Sequence, residues 1–155
     1  MKRFHTAFFT LFFCISAFMT QAQIMNRPRT ALVANDPWTA KELLEPGVLA
    51  AQIKAGKATG IKILNIGPMD DIAGATHIGA VGQAEHLEKL RDLISGWPKN
   101  THVVVYCGCC PFYKCPNIRP AYKTLKSAHF TNVQLLSLDT NLETDWIKKG
   151  YPLKD

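Results

Sequence analysis

Residues 102–122 read HVVVYCGCCPFYKCPNIRPAY and hold four of the five cysteines in a chain of 155 residues. The run of β-branched residues in 103–105 predicts a buried strand. After the cysteines, Ile118, Ala121, Tyr122 and Leu125 recur at helical spacing and predict an amphipathic helix. The four cysteines are therefore expected in a loop that joins a strand to a helix.

Short apolar strands alternate with amphipathic helices through the rest of the chain. This alternation is typical of an α/β fold with a small parallel sheet flanked by helices on both faces. Ligands of such sheets bind beyond the carboxyl ends of the strands, where the cysteine loop is expected. The other predicted strands lie at 61–67 and 133–138, and residues 77–82 are expected to form a short strand or a strand-like turn. The other predicted helices lie at 39–45, 48–56, 83–96 and 140–150.

Helix ends are marked by capping residues and glycines. Thr39 with Glu42, and Thr140 with Glu143, have the spacing of capping boxes. The sequence Pro46-Gly47 is expected to interrupt the first helix, and Gly150 to close the last.

The first 22 residues have the pattern of a secretory signal peptide. Lys2 and Arg3 give a positive start, residues 7–19 are almost wholly apolar, and small residues fit cleavage after Ala22. The apolar run is too short for a membrane span, and Cys14 belongs to the segment that is removed. We therefore expect export to the periplasm or secretion, with no stable membrane insertion after cleavage.

The remaining chain predicts a linker or loosely docked arm at 23–37 and one domain at 38–155. Removal of the signal peptide lowers the formal charge from +6 to +4, and the basic residues are scattered. This distribution argues against a nucleic-acid-binding protein and is consistent with small anionic substrates. In an oxidising compartment the four remaining cysteines can form disulfides.

The order of the segments from Trp38 to Pro152 resembles the rhodanese domain. The matching segments are LNIGPMDDIAGATHIGA, VVVYC, HFTNVQLLSL and DWIKKGYP. The resemblance implies a sulfurtransferase without an organic cofactor. Such an enzyme moves sulfane sulfur from a small donor, for example thiosulfate, to a thiophilic acceptor.

Three features depart from the family pattern. Asn65 and Gly67 stand where the family usually has Asp and Arg, and the THIGA segment is one residue short. The active-site loop is longer than the family's usual Cys-x5-Arg loop and carries three additional cysteines. These departures keep open a non-catalytic binding module on the same fold.

Cys107 matches the family nucleophile, because it directly follows Tyr106 at the end of the strand. A thiol that faces backbone N–H groups and a helix N-terminus has a lowered pKa and is a better nucleophile. The resemblance implies that Cys107 carries the sulfur as a persulfide. The alternative is a small buried apolar residue at a strand end.

Arg119 is expected in the first turn of the following helix, which Asn117 would cap. A cation there opposes the helix dipole unless an anion lies nearby, so Arg119 is a candidate guide for an anionic substrate. The alternative is a solvated surface arginine.

Cys109, Cys110 and Cys115 leave several interpretations open. With Arg119, Cys109 and Cys110 are predicted to contact the substrate, and either thiol could resolve a Cys107 persulfide. The spacing from Cys107 to Cys110 is that of a C-x-x-C redox pair. All four thiolates could instead bind zinc or copper(I), or a disulfide that includes Cys115 could staple the loop.

Other side chains near the predicted site receive supporting roles. His77 matches a family histidine that stabilises the fold by hydrogen bonding, and Asp71 is expected to brace the same loop. Phe112 and Tyr113 are candidate walls of a donor pocket. The three tryptophans lie at element ends and are expected to be packing residues.

Overall fold

The computed structural model describes residues 36–155, so the predicted signal peptide and most of the predicted arm lie outside the described residues. Five strands are present: β1 (Leu43–Leu44), β2 (Ile61–Asn65), β3 (Ala75–His77), β4 (His102–Tyr106) and β5 (Val133–Leu136). They form one parallel sheet in the order β1-β5-β4-β2-β3. The helices are α1 (Pro46–Lys54), α2 (Ala84–Ser95), α3 (Ile118–Ser127) and α4 (Leu142–Asp145).

The α/β fold with helices on both faces of a parallel sheet is confirmed. Alternate residues of β4 point to opposite faces. Val103 and Val105 pack in one core with residues of α2 and α3, while Val104 and Tyr106 pack in a second core with residues of α1 and α4. Cys107, the next residue, lies in the core of the α2–α3 face.

Periodicity predicted the central elements well. The strands predicted at 61–67 and 133–138 are present as β2 and β5, and the strand that precedes the cysteines is β4. The apolar face predicted for α3 is confirmed, since its four residues Ile118, Ala121, Tyr122 and Leu125 are all buried. Trp38 and Trp146 are buried and Trp97 is packed against the core, as expected for packing residues.

The beginning of the domain differs from the prediction. Residues Ala40–Glu42 form a 3₁₀ helix, and the chain then enters β1 instead of continuing as a helix. Pairing explains the difference, because Leu43 and Leu44 add an edge strand beside β5. Pro46 occupies the first position of α1, where its missing N–H costs nothing, so Pro46-Gly47 starts a helix and does not interrupt one.

Two further element boundaries were predicted wrongly. The second strand covers Ala75–His77 and not 77–82, because pairing with β2 requires Ala75 opposite Ile63. The last capping residue is Asn141 and not Thr140: its side chain accepts a hydrogen bond from the Thr144 N–H at 2.8 Å. The closing glycine is confirmed, since Gly150 has a φ of 64°.

Two loops meet at the carboxyl edge of this sheet. The frame loop (66–74) follows β2, and the cysteine loop (107–117) follows β4, which is paired with β2 along its whole length. Among residues 36–155, none of the helices has the length and apolar character needed to cross a membrane.

Candidate active site

Asn65, the last residue of β2, organises the frame loop. Its side chain is fully buried, and its Nδ2 donates hydrogen bonds to the Met69 carbonyl at 2.6 Å and to Asp71 Oδ1 at 2.9 Å. Its Oδ1 accepts a hydrogen bond from the Gly67 N–H at 3.0 Å. The orientation of the Asn65 side-chain amide is thereby fixed, because its NH₂ group faces oxygen atoms and its carbonyl oxygen faces an N–H.

Asp71 and His77 complete this polar network. His77 Nδ1 lies 2.9 Å from Asp71 Oδ1, which confirms the predicted hydrogen-bonding role of His77 and the bracing role of Asp71. Burial of Asp71 opposes its ionised form, but the hydrogen bonds from Asn65 and His77 prevail and hold its pKa below the ordinary value. The frame loop is therefore fixed by satisfied, partly charged hydrogen bonds.

Tyr106 ties β4 to the frame loop. Its hydroxyl donates to the Asp70 carbonyl at 3.0 Å and accepts from the Ile72 N–H at 2.9 Å. Burial raises the pKa of this phenol well above its ordinary value, so the hydroxyl stays protonated and able to donate. The residue before Cys107 thus anchors the strand end from the opposite face of the sheet.

Gly67 is the point at which the two loops touch. A Cβ added at this position would lie 2.4 Å from both the sulfur and the carbonyl oxygen of Cys107. The position that usually carries Arg in the rhodanese pattern must therefore lack a side chain here, because the cysteine occupies that space.

Cys107 lies at the carboxyl end of the sheet's central strand with 2% of its surface exposed. Asn117 Nδ2 donates to its Sγ at 3.2 Å, and the Cys109 Sγ lies at 3.3 Å. The Cys115 sulfur lies within 4.8 Å of the sulfurs of Cys107 and Cys109. The Cys107 sulfur thus has an amide donor and two neighbouring thiols around it.

Asn117 was predicted as the side-chain cap of α3, and the structure corrects this. It occupies the N-cap position, but its side chain makes no capping hydrogen bond. Its Oδ1 accepts from the Gly82 N–H at 2.8 Å, which forces its Nδ2 toward Cys107. Because the Gly82 N–H fixes the amide orientation, the donation to sulfur is built into the site.

The hydrogen bonds around Cys107 favour its thiolate. The Cys115 thiol, as the strongest contributor, together with Asn117 and Cys109, lowers the pKa of Cys107 to about 6, although burial acts in the opposite direction. Burial and the neighbouring sulfurs raise the pKa of Cys109 to about 12. The bond to Cys107 and burial likewise raise the pKa of Cys115 well above its ordinary value. At neutral pH one sulfur of this group is ionised.

The cysteine loop is held by its backbone and by apolar packing. Gly108 has a φ of 80°, and a Cβ there would lie 2.8 Å from Leu142 Cβ, so only glycine fits this turn. Phe112 N–H donates to the Leu138 carbonyl at 3.0 Å. Phe112 is 4% exposed and packs against Trp38, so it is a core residue and not an exposed residue at the loop tip.

All four cysteines of residues 36–155 are free thiols, and no disulfide joins them. Cys109 is exposed, Cys110 is half-buried and Cys115 is fully buried. The sulfur of Cys110 contacts Cys109 Sγ at 3.3 Å. The sulfurs of three cysteines, Cys107, Cys109 and Cys115, lie within 4.8 Å of one another in every pair. We call these three residues the thiol cluster.

Arg119 is engaged away from the thiol cluster. Its guanidinium pairs with the buried carboxylate of Asp36, donates to the Tyr113 carbonyl at 2.9 Å and lies over the Trp38 ring. This ion pair fixes the start of the described chain onto α3. A role for Arg119 in substrate binding remains a prediction that requires the ion pair with Asp36 to open.

Sequence reasoning missed Asn117 as a site residue and Tyr106 as a brace. In the sequence, an asparagine directly before a helix, such as Asn117, indicates an N-cap and no other role. No local signal could show that a residue ten positions after Cys107 and thirty-five after Gly82 bonds to both. For Tyr106, alternation in the strand indicated an inward side chain but not its hydroxyl partners.

A scan against protein-family models and a search of curated proteins found no match to this chain.

Proposed function

We propose that this protein is a rhodanese-like sulfurtransferase in which Cys107 carries sulfane sulfur as a persulfide. The observation that supports this most is the surroundings of the Cys107 sulfur, which accepts a hydrogen bond from Asn117 Nδ2 at 3.2 Å and has the Cys109 thiol at 3.3 Å and the Cys115 thiol within 4.8 Å. Donors aimed at one sulfur stabilise a thiolate nucleophile and would equally stabilise the anionic persulfide.

Two displacements make up the proposed reaction. The Cys107 thiolate attacks the outer sulfur of thiosulfate, a new S–S bond forms, and sulfite leaves with the electron pair of the broken S–S bond. A thiol or cyanide then attacks the terminal sulfur of the persulfide, and Cys107 leaves as a thiolate. No net oxidation occurs, and Asn117 donates to the Cys107 sulfur when it is a thiolate.

Access to Cys107 favours a small donor. Cys107 is nearly inaccessible, whereas Cys109, whose sulfur lies 3.3 Å away, is exposed. In this proposal the donor approaches past Cys109 and contacts its thiol. Cys110, whose sulfur lies 3.3 Å from that of Cys109, is a second candidate contact.

Intact mass spectrometry of the reduced chain after incubation with thiosulfate tests this proposal, with Cys107→Ser as the matched variant. We expect the mass of one added sulfur in the parent, its removal by cyanide, and no adduct in Cys107→Ser of unchanged circular dichroism. An adduct that persists in Cys107→Ser, or none in the reduced parent, would refute sulfur transfer through Cys107.

A further inference from the structure

The thiol cluster has the composition and size of a metal site. The sulfurs of Cys107, Cys109 and Cys115 all lie within 4.8 Å of one another, and the first two are 3.3 Å apart. Three sulfurs bound in a plane to one metal, at the thiolate bond length of about 2.3 Å, would be about 4 Å apart. Small side-chain adjustments would bring the three sulfurs to this spacing.

We propose that the thiol cluster of Cys107, Cys109 and Cys115 binds one copper(I) ion through three sulfurs. This site goes beyond the proposed sulfur transfer, although it shares Cys107 with it. Each sulfur contributes one lone pair, the thiols of Cys109 and Cys115 release their protons, and no atom changes oxidation state.

The donor set favours copper(I) over zinc. All three ligand atoms of the cluster are sulfur, which selects soft cations. Zinc in structural sites takes four ligands, whereas copper(I) is satisfied by two or three thiolates. The remaining thiol of the loop, Cys110, contacts Cys109 but lies outside the cluster. A fourth sulfur is therefore not in place for tetrahedral zinc.

A hydrogen bond from nitrogen supports one of the same sulfurs as a metal ligand. Asn117 Nδ2 donates to Cys107 Sγ at 3.2 Å. Such donors around the ligands orient them and offset the negative charge that thiolates bring into a buried site. Cys109 is the exposed member of the cluster and provides the entry path for the ion.

Binding of copper(I) and loading with sulfur exclude each other, because both use the lone pairs of Cys107. One copper(I) ion per chain is therefore expected to prevent formation of the sulfur adduct. This competition also separates the two proposals experimentally, since each has its own readout.

The test is an anaerobic titration of copper(I) into the reduced chain in competition with bicinchoninate, a coloured copper(I) chelator. We expect one copper(I) ion per chain, and affinity lowered at least about tenfold in Cys109→Ser and in Cys115→Ser. Cys110→Ser, the same exchange on the thiol outside the cluster, is expected to retain the parent affinity. Cys109→Ser changes an exposed residue, so the test stands even if Cys115→Ser fails to fold.

Three results would overturn the copper(I) site. The first is that the folded parent binds no stoichiometric copper(I), and the second is that Cys110→Ser loses as much copper(I) affinity as Cys109→Ser. The third is a parallel titration in which zinc binds stoichiometrically and copper(I) does not. If copper(I) binds but thiosulfate leaves no adduct, sulfur transfer alone fails. If the adduct forms but copper(I) does not bind, the metal site alone fails.

Discussion

The two loops at the carboxyl edge of the sheet are built in different ways. The frame loop is held by hydrogen bonds among the side chains of Asn65, Asp71 and His77. The cysteine loop is held by backbone bonds and buried apolar residues such as Phe112, and its buried polar side chain, Asn117, donates to the Cys107 sulfur. One loop uses polar groups for rigidity and the other for reactivity. Substitutions in the first should therefore change stability, and substitutions in the second should change thiol chemistry.

The largest effect is expected for Asn65→Asp, which restores the residue usual in the rhodanese pattern. The carbonyl of Met69 and the carboxylate of Asp71 both accept hydrogen bonds from Asn65 Nδ2, so the carboxylate oxygen that replaces this nitrogen would face two acceptor oxygens. We predict a loss of about 3–5 kcal/mol in the free energy of unfolding, measured by urea denaturation at neutral pH.

Asn132→Asp, the same exchange at an exposed position, is the control and should change stability by less than about 0.5 kcal/mol. Equal stability of Asn65→Asp and the parent would contradict the role of Asn65 in fixing the frame loop.

Gly67→Ala tests the point where the two loops meet. The added methyl group would overlap the sulfur and carbonyl oxygen of Cys107. We predict destabilisation of about 2–3 kcal/mol and slower sulfur loading, measured by denaturation and by intact mass after thiosulfate treatment. Gly60→Ala, where open space surrounds the added Cβ, should resemble the parent in both measurements. Normal loading in Gly67→Ala would show that the loops do not depend on this contact.

Asn117→Asp is expected to change reactivity more than stability. A carboxylate can still accept from the Gly82 N–H, but it replaces the donor to Cys107 with an anionic acceptor. We predict that the pKa of Cys107 rises by at least about one unit. The rate of iodoacetamide modification of Cys107, followed by peptide mass mapping across pH, measures this change. If the midpoint of the pH–rate profile of Cys107 modification is the same in Asn117→Asp and the parent, Asn117 does not stabilise the thiolate.

The pH dependence of stability has a defined sign. The pKa of Cys107 is about 6 in the folded chain, against an ordinary value of 9.0. The unfolded chain therefore binds more protons between these values, and folding gains stability as the pH rises from 6 to 9. The gain is complete above pH 9 and is lost as the pH falls through 6. In denaturant titrations, the free energy of unfolding of the parent should therefore rise relative to that of Cys107→Ser across this pH window. The same pH dependence in both chains would contradict the low pKa of Cys107.

Sequence patterns predicted the fold because the elements that carry it are periodic. The β-branched run before Cys107 and the helical spacing of Ile118, Ala121 and Leu125 depend on local burial, which periodicity records. The edge strand at Leu43–Leu44 was missed because two apolar residues fit either element, and its pairing with β5 decided between them.

The candidate site was predictable in position but not in detail. A cysteine after a central strand indicates where a nucleophile would lie, and the structure has Cys107 at that edge. The hydrogen bond from Asn117 and the approach of the Cys115 sulfur join residues through tertiary packing, which no spacing rule reports. The ion pair of Arg119 with Asp36 escaped prediction for the same reason, since eighty-three residues separate the two.

The central claim is that the cysteine loop holds one thiolate, at Cys107, near neutral pH. The most direct test is the ultraviolet thiolate absorbance of the reduced parent and of Cys107→Ser, titrated side by side under anaerobic conditions. The account predicts that the parent shows an ionisation step with a midpoint at about pH 6 and that Cys107→Ser lacks this step. Identical curves that rise only near the ordinary thiol pKa of 9.0 would contradict the account.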